Sequence, residues 1–261
     1  MQNVKPKKQL GQHFLTSQQI AKDIVDALTA NGNAIEIGPG MGVLSRYLFE
    51  RPELRMKLIE VDEESVDYLK VNYPENAGAV VFGDFLRLDA DSFFGPGEVF
   101  SVIGNFPYNI SSQIFFRILE YKDRVSMIVC MLQREVALRL ASGPGTRDYG
   151  ILSVFLQAYY DIEYLFTVHE DVFNPPPKVK SGVIRLTRNG VSSLDCDESL
   201  FRRVVKGTFG QRRKTIWNGL KSLGLNLAAI QDDPLMKKRP EQLSVHQFVE
   251  LTNKVASQIP Q

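Results

Sequence analysis

The stretch Ala34-Ile-Glu-Ile-Gly-Pro-Gly-Met-Gly42 decides how this chain is read. Its first four residues are a short apolar run carrying one acid, the pattern of a buried strand, and the next five place glycine at 38, 40 and 42. Val43–Phe49 then reads as a helix. A glycine-rich turn between strand and helix lets a ligand approach the backbone closely, because no Cβ stands in the way. The spacing is G-x-G-x-G. A dinucleotide-binding turn requires a third small residue one place later, where this chain has Val43, and no phosphate-binding lysine follows. Both that fingerprint and the P-loop are therefore excluded.

Working outward, Ser17 is a good N-cap for a helix carrying Ile20, Ile24, Val25 and Leu28 on one face. Downstream of the turn, strands are predicted at Met56–Val61, Val80–Phe82, Val99–Ile103 and Ser126–Met131. Helices are predicted at Glu63–Asn72, Ser111–Glu120 and Arg134–Ala141. Such alternation implies an α/β fold with a doubly wound, mostly parallel sheet. Right-handed crossovers place its functional loops at the carboxyl ends of the strands. After Asp148 come longer apolar runs, Ile151–Tyr160 and Ile162–Val168, the stiff Asn174-Pro-Pro-Pro177 segment and a strand at Gly182–Leu186. Asn189 to Asp197 is polar and small, a linker, and Phe201 to Gln261 reads as all helical. The expected organisation is an α/β domain over 1–188 and a smaller helical domain over 189–261.

The net charge is +1, yet Arg202, Arg203, Lys206, Arg212, Arg213, Lys214 and Lys221 follow Phe201 with no acid among them. Lys5, Lys7 and Lys8 form a second basic cluster. Local basic patches on a balanced protein suit a polyanion held at one face, though a merely solvated helix face has the same composition. No apolar run approaches the roughly 20 residues of a bilayer span. The polar, basic start lacks the apolar stretch of a secretory signal, so a cytoplasmic protein is expected. Cys130 lies in an apolar strand and reads as a buried structural thiol. His13, His169 and His246 lack metal-ligand spacing, and no metal is expected.

Two carboxylates complete the cofactor reading. Glu60 ends the second predicted strand, where a carboxylate accepts hydrogen bonds from both hydroxyls of a ribose. Asp84, after the third, is placed to accept from an adenine amine. With Glu36 before the glycine turn, these match the pattern of class I methyltransferases, whose cofactor is S-adenosylmethionine. The strand ending at Gly104 then leads into Asn105-Phe-Pro-Tyr108. An adenine amine is a poor nucleophile because its lone pair is delocalised into the ring. The Asn105 side-chain carbonyl can accept one amine hydrogen and the Phe106 backbone carbonyl the other. Pro107 stiffens the loop, and Tyr108 offers a face on which a base stacks. No strong general base is required, so catalysis is positioning and amine polarisation.

At these residues the chain resembles the KsgA-type small-subunit ribosomal RNA adenine dimethyltransferases, a group related to the Erm resistance enzymes. The likeness runs from Gln9-Leu-Gly-Gln-His13-Phe-Leu15, through Glu36–Gly42 and Gly104–Asn109, to Val172-Phe-Asn-Pro-Pro-Pro-Lys178-Val-Lys-Ser181 and Phe209-Gly-Gln-Arg-Arg-Lys-Thr215. The last of these resembles the KsgA type rather than the Erm type. The resemblance implies that His13 and Leu15 lie against the cofactor, with Gly38, Gly40, Glu60, Asp84 and Asn105 completing its site. It implies that Phe173 closes over the target adenine opposite Tyr108. Read alone, Phe173 is equally a packed aromatic on a stiff loop. The implied substrate is a pair of adjacent adenosines in the 3′-terminal hairpin loop of small-subunit rRNA. The RNA would be gripped at its phosphates by Arg202, Arg203, Lys206, Arg212, Arg213 and Lys214. The expected partner is that rRNA in a partly assembled subunit, met by a monomer away from any membrane. His13 stands where many relatives have Asn, and Phe106 replaces the commoner Leu. Two rivals share the fold: a non-enzymatic assembly or transcription factor, and a DNA adenine methyltransferase, whose loop usually reads Asp-Pro-Pro-Tyr.

Overall fold

The structure, a computed structural model, describes residues 4–224 and 227–258. Its described elements run in chain order: β1 (Phe14–Leu15), α1 (Gln18–Asp26), β2 (Gly32–Ile37), α2 (Ser45–Leu48), β3 (Leu54–Glu60), α3 (Glu63–Asn72), β4 (Val80–Phe82), β5 (Phe100–Asn105) and α4 (Ser111–Glu120). They continue with β6 (Val125–Gln133), α5 (Arg134–Ala141), α6 (Ile151–Gln157), β7 (Tyr160–Val168), β8 (Phe173–Asn174), β9 (Ser181–Arg188), α7 (Glu198–Gly210), α8 (Ile216–Lys221) and α9 (Val245–Ala256). Ser17 caps α1 by accepting from the Ile20 amide, as its place before the apolar periodicity requires.

Seven strands form one sheet in the order β4-β3-β2-β5-β6-β9-β7. The pairings from β4 through β6 are parallel, and β6 pairs β9 antiparallel. The expected doubly wound, mostly parallel sheet is thus borne out. Chain order runs outward from β2 in both directions, which makes β2 and β5 the point where the winding reverses. A doubly wound sheet opens a crevice at such a point, outside the carboxyl ends of its strands. Those ends are Ile37, leading into the glycine turn, and Asn105. They approach closely: a Cβ at Gly104 would stand 2.5 Å from the Ile37 carbonyl oxygen, so only glycine fits there. The core beneath is apolar and continuous, joining Ile24 of α1 and Leu28 just after it to Leu58, Ile103, Val129 and Val183 of the sheet.

The chain divides into two compact units, and the division differs from a single cut after residue 188. One unit is the chain to Ala137 with Asp161–Arg188; the other is Leu138–Tyr160 with the chain from Asn189 onward. The Ile151–Tyr160 run supplies the reason. It folds as helix α6 whose buried Val154, Phe155 and Leu156 need an apolar partner, and Phe155 packs on Phe201 of α7. The glycine turn also overrides the helix expected at Val43–Phe49. Gly42 has a φ of 78° and the chain keeps turning through Leu44, so α2 begins only at Ser45. The C-terminal segment is less helical than its pattern suggests, since short 3-10 turns stand between α8 and α9. Leu225, Asn226 and residues 259–261 of that expectation lie outside the described residues.

Candidate functional site

A cavity of about 460 Å³ opens at the carboxyl ends of β2, β3 and β5. His13, Leu15, Gly38, Gly40, Glu60 and Asp84 all line it. So do Asn105, Pro107 and Tyr108 from the loop after β5. Segments far apart in the chain thus meet around one cavity, and Phe173 is the exception. That ring is 4% exposed and packs in the hydrophobic core. The antiparallel pairing of Leu15 with Phe173, between β1 and β8, holds it there. Phe173 is absent from the lining of this cavity and packs as an aromatic on a stiff proline loop.

The glycine turn is shaped by its left-handed residues. Gly38 and Gly40 have φ of 65° and 56°, and a Cβ at Gly40 would press on the Phe14 ring at 2.9 Å. The Gly40 amide donates to Glu60 Oε2 at 2.9 Å, while Glu60 Oε1 accepts from the amides of Val61 and Asp62, each at 2.9 Å. A carboxylate oxygen has about two acceptor sites. Oε1 is thus saturated, and Oε2 keeps one site for a further donor. The sequence reading gave Glu60 two ribose hydroxyls; the amides of Gly40, Val61 and Asp62 leave room for one. Burial pushes the Glu60 carboxyl above its ordinary value against these bonds. Asp84 accepts from the Leu86 amide at 3.0 Å and stays partly exposed, with Arg87 3.5 Å from its other oxygen.

Glu36 lies beneath the turn, 1% exposed, accepting from the Ser45 hydroxyl at 2.6 Å. Burial pushes its carboxyl up to about 8, helped by the nearby Glu60 charge and opposed by Ser45. Near neutral pH this acid is largely uncharged, and it is among the residues that line the cavity.

In the loop after β5, the Asn105 amide nitrogen donates to the His13 carbonyl at 3.0 Å. An amide anchored by its NH₂ presents its oxygen outward, and Asn105 Oδ1 accepts nothing from any described residue. The Phe106 ring is buried against Phe115, and its amide donates to the Met131 carbonyl at 2.9 Å. The Phe106 carbonyl likewise accepts no hydrogen bond from a described residue. The Tyr108 hydroxyl meets Ser181 Oγ at 2.6 Å, and burial pushes that phenol up. His13 stacks on Tyr108 with ring centroids 5.6 Å apart. Its Nδ1 lies 2.8 Å from the Pro175 carbonyl; a carbonyl only accepts, so Nδ1 carries the hydrogen. His13 thus has Nδ1 held by a protein carbonyl while the residue lines the cavity with the rest of the Leu10–Leu15 segment.

Sequence reasoning missed two contributors. Ser181 was quoted within a motif but given no role, since nothing local reveals a partner 73 residues away. Asp62, two residues past Glu60 in a Val-Asp-Glu-Glu run, was given no role; it is buried and binds Lys7, Gln12 and Ser65. Burial alone would push the Asp62 carboxyl up, but those three hydrogen bonds outweigh it and hold the carboxyl below its ordinary value. Lys7, assigned to a basic cluster, is therefore committed to the edge of the site. Among the described residues no group of three or more His, Cys, Asp or Glu side chains gathers to hold a metal ion, and no helix is long and apolar enough to cross a membrane.

The winding reversal, the glycine turn and the two strand-end carboxylates define a class I S-adenosylmethionine-dependent methyltransferase. The solved structure of a dimethyladenosine transferase from Plasmodium falciparum shares this fold, with a TM-score of 0.76 at 23% identity over 94% of this chain and 98% of that one. The solved structure of the 23S rRNA methyltransferase ErmE aligns with a TM-score of 0.65 at 25% identity, over 92% and 99% of the two chains. In sequence, the chain is 56% identical to a ribosomal RNA small subunit methyltransferase A from Parabacteroides distasonis, covering 97% of this chain and 94% of that relative. The family described as ribosomal RNA adenine dimethylase matches residues 3–257, and this chain belongs to it.

Proposed function

We propose that this chain dimethylates the N6 amines of two adjacent adenosines in the 3′-terminal hairpin loop of small-subunit rRNA, using S-adenosylmethionine. It would act as a cytoplasmic monomer on a partly assembled subunit. The observation that carries the reading is the pair of open acceptors in one loop, Asn105 Oδ1 and the Phe106 carbonyl, beside a cavity whose backbone wall is glycine. The name of the Parabacteroides distasonis relative supports the small-subunit substrate.

The residues fit the cofactor. A volume of about 460 Å³ lies within the usual range for a small-molecule site. The glycine turn admits close backbone approach, Glu60 Oε2 and Asp84 offer acceptors for a hydroxyl and an amine, and the Leu10–Leu15 segment lines the remaining side. When bound, S-adenosylmethionine supplies a methyl group on a cationic sulfur that is a strong leaving group. The chain's own contribution is geometric. Asn105 and the Phe106 carbonyl take the two amine hydrogens, favouring a pyramidal nitrogen with its lone pair out of the ring plane. Tyr108 supports the base, and a hairpin-loop adenosine, already partly unstacked, costs less to flip than one in a duplex.

Docking is assigned to Arg202, Arg203 and Lys206, exposed on one stretch of α7, and to Arg213 and Lys214, exposed just after it. Arg212 drops out of the set. Its guanidinium donates to the carbonyls of Arg147 and Tyr149, the latter at 3.0 Å, so it ties its own unit together.

The test is methyl transfer by the purified chain to small-subunit rRNA, with mass mapping of the product. Dimethyladenosine at two neighbouring positions of the 3′-terminal loop is expected. Methylation elsewhere, or of DNA instead, overturns the assignment.

A further inference from the structure

We infer that Ser181 is a positioning residue for the target base: its hydroxyl fixes the tilt of the Tyr108 ring while His13 supports one face. The inference rests on the reading of Tyr108 as the platform on which the adenine stacks.

Tyr108 belongs to a loop, and a tyrosine on a loop has more than one staggered well open to it. Two contacts select one. The hydroxyl lies 2.6 Å from Ser181 Oγ, which makes no other hydrogen bond among the described residues. The ring stacks on His13 at 5.6 Å between centroids and 27° between planes. Neither support is itself mobile in the way a surface side chain is. Ser181 is fully buried and is the first residue of β9, in antiparallel register with Gln133 of β6. The Arg134 amide donates to the Lys180 carbonyl at 2.9 Å and closes the ladder there. His13 is pinned at Nδ1 by the Pro175 carbonyl, 2.8 Å away. With one face covered by His13, a base is left the other. The same His13 residue holds the Asn105 amide through its own carbonyl, at 3.0 Å. One short segment therefore sets both the stacking platform and the amine acceptor. Sites placed on rigid elements hold geometry better than sites on loops, and here the sheet is lent to the loop through one hydroxyl pair.

The experiment uses Ser181→Ala, Tyr108→Phe, their double variant and Tyr108→Ala in the full chain. It measures kcat and KM on small-subunit rRNA, calorimetric affinity for S-adenosylmethionine, and fluorescence of an RNA hairpin carrying 2-aminopurine at the target position, which stacking quenches. Ser181→Ala and Tyr108→Phe are each expected to lower kcat by about 3- to 10-fold, the size of one lost hydrogen bond. Quenching should weaken and cofactor affinity should hold. The double variant should be no worse than either single one, because both remove the same bond. Tyr108→Phe leaves β9 untouched, so it carries the test if Ser181→Ala does not fold. The inference is overturned if the single variants keep wild-type kcat and quenching, if their effects multiply, or if cofactor affinity falls in step with kcat. Tyr108→Ala separates the two levels. Should it keep turnover and quenching, the platform reading itself fails; should it lose both while Ser181→Ala loses neither, only the Ser181 inference fails.

Discussion

In the loop after β5, polar groups are tied to protein at one end and open at the other. Asn105 gives its nitrogen to His13 and keeps its oxygen, and Tyr108 gives its hydroxyl to Ser181 and keeps a ring face. Along α7 and the turn after it the arrangement is opposite. Arg203, Arg213 and Lys214 are exposed, with no hydrogen bond or ion pair from their side chains to a described residue. The contrast follows from what each region must do. Polarising an amine depends on acceptors already in place, because reorganising them during the reaction costs barrier height. Gripping a phosphate backbone depends on charge that sheds counterions on contact, and a cation already paired with protein has fewer to shed. Breaking one region should therefore change rate at constant affinity, and breaking the other should change affinity and its salt dependence.

The largest effect is expected at Asn105. Asn105→Ala removes an acceptor used only when the amine pyramidalises, and losing one preorganised group of this kind typically costs about 10²–10³ in kcat. RNA affinity should stay near wild type. A labelled-methyl assay beside a filter-binding titration checks both; a variant that turns over normally sinks the role given to Asn105. Next is Gly104→Ala. The new Cβ would stand 2.5 Å from a backbone carbonyl, which cannot swing aside as a side chain can. Overpacking costs about 1–3 kcal/mol and more where backbone is the obstacle. At this chain length that lowers Tm by roughly 5 °C or more, read by calorimetry. An unchanged Tm would mean that the two strand ends are not in contact.

Glu36 sharpens the contrast from beneath. Its folded carboxyl is pushed up to about 8 from an ordinary 4.5, so the folded protein holds a proton that the unfolded chain releases. Stability from this residue is complete below about pH 4.5 and is lost as pH rises through about 8. A tenfold difference in proton affinity between folded and unfolded chain is worth about 1.36 kcal/mol, so the loss is at most a few kcal/mol. Glu36→Gln mimics the neutral acid and still accepts from Ser45. Between about pH 5 and pH 9, a window that brackets most of this loss, the wild type should lose more Tm than Glu36→Gln. Parallel curves would show that Glu36 is charged in the fold.

What the sequence revealed and what it hid divide along the same line. The glycine turn, Glu60, Asp84 and Asn105-Phe-Pro-Tyr108 were legible because each is a strand end followed by its own loop, with pattern and chemistry in one stretch of chain. The alternation of β2 to β6 with helices was legible for the same reason. Ser181, Asp62 and the carbonyls that hold Arg212 were not, because each role belongs to a partner brought near only by folding. Phe173 was ambiguous for a related reason. An aromatic before three prolines has the same local sequence whether its ring faces a ligand or the core, and the pairing of β8 with β1 decides it. The helix expected at Val43 failed locally, since the left-handed Gly42 delays helical geometry.

The smallest expected effect bears most directly on the comparison. Arg212, Arg213 and Lys214 are consecutive cations, and charge alone does not distinguish them. Their contacts do: Arg212 donates to the carbonyls of Arg147 and Tyr149, whereas Arg213 and Lys214 are exposed beyond it. Each phosphate contact contributes about 0.7–0.9 to the slope of log affinity against log salt. Arg213→Ala with Lys214→Ala should lower that slope by somewhat under two and leave Tm unmoved. Arg212→Ala should leave the slope nearly intact and lower Tm, because two carbonyls lose a charged donor. If instead Arg212→Ala flattens the salt dependence as much as the double variant does, its guanidinium leaves those carbonyls for the RNA. The difference between pinned and free groups would then hold only in the free protein.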